Sequence, residues 1–447
     1  MAIPATSWLW GFTVDDALIT ARVAAHCAQG IGPRFNPNGP VTDAVTPLGY
    51  AQLLALFGQT EVLAVFALAK WCGCIAWLSS AGLLGWLIAR SGTGSWRFSP
   101  LAIVAISAPL GAWAVSGMET GLVTLLATLG LLGGSPAALA LGVAAAWRPE
   151  LTPFAGFLVA LRLRGAGWSR AVLPVSLLVL PVLVVALIRF HYFGRAVPLS
   201  FYAKPSDFGH GLRYALGAFA FTGFPCLLLA SPRELGRLPR AAWPLFIALL
   251  GHAVSLVLCG GDWMALYRLV VPVLPCAALA AAYLADRARP SLAALRFILG
   301  GAGALLLLYG RGPAARKVGA DRARLIAEAR PLFAHDSHIA SLDVGWVGAA
   351  RDAADIIDLA GVTDPQVALF PGGHTSKNIP RAWLFAQQPT AVVLFLAPAQ
   401  YQLPGEPPSY SRAVEAHVAR LIDAEFRERA KLRLGTERYL VLEPIAR

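Results

Sequence analysis

Charge is what this sequence has least of. Asp, Glu, Lys and Arg make up 14% of its 447 residues while 57% are hydrophobic, for a mean hydropathy of +0.61; an ordinary soluble domain carries roughly 25% charge. That shortage excludes a soluble enzyme and leaves an integral membrane protein. The few charges are also unbalanced, with 25 acidic against 37 basic residues and a formal net charge of +12. The basic residues sit in short clusters between apolar runs and form no stripe. They therefore read as cytoplasmic loops, and no nucleic-acid partner is expected. Cysteine is scarce, and five of the six, Cys72, Cys74, Cys226, Cys259 and Cys276, lie inside apolar runs without metal-finger spacing. They are expected to be small core residues. P-loop glycine spacing is missing as well: Gly372-Gly373-His374-Thr375-Ser376-Lys377 lacks it, which leaves this loop at most a contact for a lipid phosphate.

The start of the chain lacks a span. Fourteen residues precede Asp15, and their apolar part, Trp8 to Phe12, is far short of the roughly 20 residues a spanning helix needs. Neither a signal peptide nor a first span is expected there. The next stretch is polar and dense: Val14-Asp15-Asp16-Ala17-Leu18-Ile19, a helix over Asp16 to Ala28 capped by Thr13 or Asp15, a stop at Gly30, a turn at Asn36-Pro37-Asn38-Gly39, and a helix start at Thr46-Pro47.

From Val62 onward the apolar runs come at about 62–89, 98–115, 121–133, 136–147, 151–161, 171–190, 214–231, 242–259, 266–285 and 294–310. They predict about 10–11 transmembrane helices, the third to fifth runs being short enough to be kinked or re-entrant. If the spans alternate, one side receives Arg90 and Arg97; Arg162, Arg164 and Arg170; Arg233, Arg237 and Arg240; and Arg287, Arg289 and Arg296. That side is the cytoplasm. The other side receives Asp15 and Asp16, Ser116 to Thr120, Trp147 to Glu150, the loop from Arg189 to Arg213, and Gly260 to Met264. Residues 311–447 turn charged and turn-rich. Strand-like runs at Ile339 to Leu342, Ala391 to Leu396 and Tyr439 to Leu442, with a helical stretch from Ser411 to Glu428, predict a small α/β domain on that same side. The expected architecture is a transmembrane domain over 1–310, with a first extracytoplasmic loop at about 15–60, and a C-terminal domain over 311–447.

Two adjacent carboxylates at a membrane surface, near cationic side chains, suit transfer from a phosphate-linked donor. A carboxylate deprotonates an acceptor hydroxyl, and Arg or Lys neutralises the departing phosphate. Asp15 and Asp16 equally suit helix capping. Glu119, between apolar runs, is costly unless paired or used. Arg148 and Glu150 read either as a structural ion pair or as a phosphate or sugar contact, and Asp262 as a turn carboxylate with Arg268 six residues on. His26, His191 and His252 are isolated and read as packing or hydrogen-bonded residues, and His335-Asp336-Ser337-His338 as a solvated turn more than a metal site.

Several of these pieces, in this order, carry a resemblance: Asp15-Asp16-Ala17-Leu18-Ile19, Phe35-Asn36-Pro37, Thr46-Pro47-Leu48, Ser116-Gly117-Met118-Glu119-Thr120, Arg148-Pro149-Glu150, Tyr192-Phe193-Gly194 with Pro198 to Lys204, Gly260 to Met264 with Arg268 and Pro272, and Asp358 to Pro365. Together they resemble the GT-C superfamily of polyprenyl-phosphate-dependent membrane glycosyltransferases, and within it the mycobacterial terminal arabinofuranosyltransferase group. The resemblance spans about residues 14 to 400. It implies an inverting transferase at the outer face of a bacterial inner membrane, with a polyprenyl-phosphate sugar as donor and a hydroxyl of a cell-envelope glycan or lipid as acceptor; it leaves the sugar open, a pentose such as arabinofuranose being one candidate. It implies Asp15 as base, with Asp16 supporting it or binding acceptor or metal. Lys204 and Arg148 would lie on the donor phosphate, and Glu119, Asp262, Arg268 and Tyr202 around sugar or acceptor. No cofactor is implied beyond a divalent cation, for which the sequence offers no ligand set. Two departures stand out. The spanning helix that family members carry before the acidic pair is reduced to a few apolar residues, and Leu199-Ser200 stands where Asn-Thr is usual. The competing classes are a flippase or transporter of lipid-linked sugar, which calls for inverted repeats that the sequence does not display, and a non-catalytic membrane assembly protein.

Overall fold

The structure is a computed structural model that describes residues 3–224, 228–240, 242–397 and 408–445; Cys226 lies outside them. The chain forms two compact units. One comprises Met1–Thr13, Lys70–Ile188 and Ser206–Arg316, and the other Val14–Ala69, Arg189–Pro205 and Lys317–Arg447. The loop expected at about 15–60 thus groups with Arg189–Pro205 and the C-terminal residues.

In the first unit the apolar runs are helical. Among the described residues, Val62–Arg90, Trp168–Phe193, Arg268–Ala285 and Pro290–Leu332 are long and apolar enough to cross a membrane. Ser95–Ile106 and Ala108–Ala114, bent by 53°, add a fifth crossing if counted as one. The bend has a local cause: Ser107 leaves the helix in extended conformation and its hydroxyl caps the next one by accepting the Leu110 amide, with Pro109 in the new first turn. Thr120–Leu132, Gly134–Trp147 and Trp243–Leu258 are apolar but shorter. A helix the length of Thr120–Leu132 reaches only about 20 Å, less than the ~30 Å hydrocarbon core.

Close packing in this unit depends on missing side chains. A Cβ on Gly73 would lie 2.4 Å from the Ala114 carbonyl oxygen, and one on Gly121 would lie 2.4 Å from the Gly73 carbonyl oxygen. Small residues let helices approach where lipid supplies no hydrophobic drive between them. Trp168–Phe193 is the opposite case, with Leu173, Leu180, Leu183, Leu187 and Phe190 all exposed. Such a face suits lipid.

Polar contacts mark two ends of the unit. At one, the Gly94 amide donates to Asp286 (2.6 Å), Arg287 donates to the Arg237 carbonyl (3.1 Å), and Arg296 forks onto Glu234 (2.8 and 2.7 Å). Three of the four arginine-bearing connections meet there. At the other, Thr13 donates to the Ser116 carbonyl (3.2 Å) and Trp113 to that of Leu266 (3.1 Å), beside Glu119, Arg148 and Arg268. The Arg268–Ala285 segment, a 3-10 turn followed by α-helix, runs about 30 Å between them.

The second unit is an α/β structure around five strands: β1 (His338–Ser341), β2 (Asp355–Asp358), β3 (Ala391–Leu396), β4 (Phe426–Leu434) and β5 (Glu437–Pro444), in the order β2-β1-β3-β5-β4. The first three pair in parallel and the last two antiparallel. Val392, Leu394, Leu359, Val414 and Val418 form its core. The helix expected from Ser411 to Glu428 covers only Ala413–Ile422, because residues from Phe426 enter β4. Phe426, Leu432 and Leu434 are buried and belong to a two-residue period that a bulge at Glu428/Ala430 interrupts. That interruption hid the strand in the sequence.

Candidate active site

The sequence-selected residues fall into two groups, one in each unit. In the second unit, Asp15 and Asp16 begin the Asp15–Ala28 helix, whose N-cap, Val14, contributes no side-chain bond. Asp15 instead serves another helix. Its Oδ2 accepts the Gly345 amide (2.7 Å) and its Oδ1 that of Trp346 (2.9 Å), at the start of Val344–Ala350. A negative group is favourable where a helix presents unsatisfied N–H groups. The approach requires glycine, since a Cβ on Gly345 would lie 2.2 Å from the Asp15 carbonyl oxygen.

Around Asp15 the charges are layered. Arg322 Nε stands 4.0 Å from Oδ1. Asp343 is gripped by the Arg412 fork (2.8 and 2.8 Å) and by the Tyr439 hydroxyl (2.8 Å). Burial, opposed by Arg322 and the two amides and reinforced by Asp343, raises the Asp15 pKa to about 7, while 17% of its side chain remains open. Burial acts the same way on Asp343, but Arg412 and Tyr439 outweigh it and hold that carboxyl below its usual range. Asp15 is the carboxyl that can take up a proton near neutrality.

Asp16 faces elsewhere. Its Oδ2 lies 4.0 Å from Lys204 Nζ, and the two side chains are 34% and 26% exposed. Lys204 ends the short Leu199–Ala203 helix, held by a hydrogen bond between Ser200 and Thr46 hydroxyls (3.0 Å). Tyr202 on that helix lies under the Arg195 guanidinium, 5.2 Å from ring centre. Thus Thr46-Pro47, Leu199-Ser200 and Lys204, remote in sequence, form one structure.

The rest of the first loop is tied down by carbonyls and amides. Arg22, fully buried, donates to the carbonyls of Phe35 (2.8 Å) and Ala354 (2.6 Å) and packs on the Phe35 ring. His26 bridges the Arg34 carbonyl (2.9 Å) and Asp352 (3.2 Å). The Asn36 amide exchanges two bonds with the Ile356 backbone (3.0 and 2.8 Å), extending the β2 edge. Asp358 is enclosed by the amides of Ala360, Gly361 and Thr363 and by the Thr363 hydroxyl, and burial raises its pKa to about 6. Lys377 is buried and donates to the carbonyls of Ala368 (2.8 Å) and Phe370 (3.0 Å), so the glycine-rich loop ends in a structural anchor. Asp336 pairs with Arg429 (2.8 Å).

In the first unit, Arg148 Nη1 pairs with Glu119 (3.0 Å) and Nε with Glu150 (2.7 Å). Glu119 is wholly buried, and no donor completes a hydrogen bond to its Oε2. Asp262 pairs with Arg268 (2.8 Å), whose guanidinium lies over Trp113. His252 spans the carbonyls of Glu150 (3.2 Å) and Leu269 (2.9 Å). Among the described residues no three His, Cys, Asp or Glu side chains are grouped so as to hold a metal.

Sequence reasoning missed Arg322, Asp343 and Arg412, and also the buried pair Asp43–Arg189 (2.9 Å). Arg189 is masked in sequence by its apolar run. For Asp343 and Arg412 no spacing signal exists, because strands distant in sequence bring them together.

No protein-family model matches the sequence, and no curated protein matches it. Among solved structures, the chain is similar to ArnT from Cupriavidus metallidurans, crystallised bound to undecaprenyl phosphate. The TM-score is 0.57 at 12% identity, over 98% of this chain and 96% of that one. The fold is of the GT-C type. The chain is a multi-pass membrane protein of this fold, and the likeness extends through both units.

Proposed function

We propose that the chain is a glycosyltransferase that moves a sugar from a polyprenyl-phosphate donor to a hydroxyl acceptor. The observation that carries this reading is the acidic pair itself: Asp15 is tuned by its surroundings to accept a proton, and next to it Asp16 and Lys204 are 4.0 Å apart and partly open. Similarity of fold to a protein crystallised with undecaprenyl phosphate supports the donor class.

In the proposed reaction the acceptor oxygen attacks the anomeric carbon while Asp15 takes its proton, using an oxygen lone pair beyond the one engaged by an amide. The bond from that carbon to the phosphate oxygen breaks, its electrons leave with the polyprenyl phosphate, and Lys204 neutralises the charge. Displacement in one step inverts the anomeric centre. Asp16 orients Lys204. Within the first unit we assign Arg148, engaged by two carboxylates, to holding Glu119 and Glu150 in place, and Arg268 to holding Asp262. The site faces outward on the arginine pattern, and arabinofuranose as the sugar rests on motif resemblance alone. Membranes containing Asp15→Asn or Asp16→Asn protein, assayed for sugar transfer from a polyprenyl phosphate, test the reading. Full activity in both variants would sink the assignment.

A further inference from the structure

We propose that Asp343 is a positioning residue for Asp15: withdrawn from the helix it precedes, it cedes the first amides of that helix to Asp15 and fixes a second negative charge beside it. The inference rests on the proposed function and deepens the account of the same site. Asp343 occupies the N-cap position of Val344–Ala350, yet its side chain makes no cap. An aspartate there ordinarily accepts the second or third amide of its own helix. Those amides, of Gly345 and Trp346, go to Asp15 instead (2.7 and 2.9 Å). Asp343 is held away by the Arg412 fork and the Tyr439 hydroxyl. A stack of rings supports that hold. The Arg412 guanidinium lies 4.9 Å from the centre of the Phe395 ring, Phe395 packs on Tyr439 (5.1 Å), and Tyr439 packs on Trp346 (5.0 Å). The groups that grip Asp343 and the turn that holds Asp15 are therefore one assembly.

Two carboxylates that share a site do not ionise independently, because each charge disfavours the other. Arg412 and Tyr439 decide which of them stays ionised, since both favour the carboxylate form of Asp343. Asp343 therefore remains negative and leaves the proton of the acceptor hydroxyl to Asp15, and the repulsion between the two ends when Asp15 takes that proton up. Among the described residues, the other charged and titratable groups set around this pair come from four elements. Arg322 faces Asp15 from the Val318–Leu332 helix at 4.0 Å and opposes the effect of Asp343. Tyr439 and Glu437 come from β5, Arg412 from the N-cap of Ala413–Ile422, and Asp16 from the helix of Asp15 itself. Neutralising Asp343 and neutralising Arg322 should thus act on Asp15 in opposite directions.

A ¹³C NMR titration of the full chain in detergent micelles, labelled at aspartate Cγ, tests this, with the Asp15 resonance identified by its loss in Asp15→Asn. The titration midpoint of that resonance should fall by about one pH unit in Asp343→Asn, where a like charge is gone, and rise by about one unit in Arg322→Gln, where the opposing charge is gone. In Asp343→Asn the Arg412 guanidinium keeps its two bonds to Glu415 (2.6 and 3.0 Å), so no buried cation is stranded. Asp343→Glu, which keeps the charge, should retain the wild-type midpoint. Damage to the fold alone does not move one group both ways. An unmoved midpoint in Asp343→Asn, displacement in the same direction in both neutral variants, or a fall in Asp343→Glu as large as in Asp343→Asn would overturn the assignment. If Arg322→Gln does not fold, the comparison of Asp343→Asn with Asp343→Glu decides alone. In a transfer assay the pH midpoint of kcat/KM should follow the same shifts. The NMR midpoint is read without turnover. A chain whose Asp15 midpoint shifts as stated but which transfers no sugar refutes the proposed function alone, and one that transfers sugar with the same pH profile in wild type and Asp343→Asn refutes the positioning role alone.

Discussion

At the scale of residues, Asp15 and Asp16 are neighbours with different surroundings. Asp15 is held by two amides and pushed toward neutrality by burial, whereas Asp16 looks toward Lys204. Asp15→Asn should therefore lower kcat by about 10²–10⁴, the usual contribution of a general base, while Asp16→Asn should chiefly raise the donor KM. The wild-type pH profile of kcat/KM should rise to a plateau with a midpoint near 7, the Asp15 pKa; a flat profile across that range would remove Asp15 as base. Stability carries the opposite sign. A carboxyl whose folded pKa is raised from 3.8 to about 7 binds protons more tightly when folded, so its contribution favours the fold at low pH and is lost as pH climbs through that window. Relative to wild type, Asp15→Asn should thus compare better in Tm at pH 7.5 than at pH 5, even though it loses part of the helix cap at both.

At the scale of elements, the second unit depends on a few tight junctions. Gly345→Ala would push a methyl against the Asp15 carbonyl, so the Asp15–Ala28 helix should lift from Val344–Ala350. Amide exchange at Gly345 and Trp346 should then speed up while exchange in β3 stays slow. Arg412→Ala removes the fork that neutralises Asp343 and should destabilise by about 3 kcal/mol, as breaking a buried pair does, with a smaller loss for Arg412→Lys; equal thermal stability in all three proteins would refute this. Legibility differed by element. Phe35-Asn36-Pro37 and Thr46-Pro47 were visible as motifs, but that Asn36 extends β2 or that Thr46 meets Ser200 depends on contacts more than 150 residues apart, which no local period encodes. The start of β4, Phe426 to Glu428, was read as the end of a helix because its bulge breaks the alternation that identifies a strand. The acidic pair was legible as two adjacent carboxylates at a helix start. Arg322 and Asp343, which set its chemistry, were not.

At the scale of the molecule, low charge and long apolar runs were enough to announce a membrane protein, and the GT-C fold bears this out. Among the described residues four helices, or five with the bent pair counted as one, are long and apolar enough to cross alone, and other apolar runs form shorter helices. Three arginine-bearing connections chosen by sequence do meet at one end of the first unit. Single cysteines at Arg237 and at Lys431, in a chain whose native cysteines are replaced, should react with impermeant maleimide from opposite sides of sealed vesicles, Arg237 from the cytoplasmic side. Labelling of both from one side would contradict the proposed orientation. The central claim is the reaction. The most direct measurement is ³¹P NMR of purified chain reconstituted with a polyprenyl-phosphate sugar and a hydroxyl acceptor, using arabinofuranose and hexose donors in parallel. With one of these donors, the phosphodiester resonance should give way to that of free polyprenyl phosphate in wild type and persist in Asp15→Asn. A phosphodiester signal that persists in wild type with every donor, or that decays equally in the variant, would contradict it.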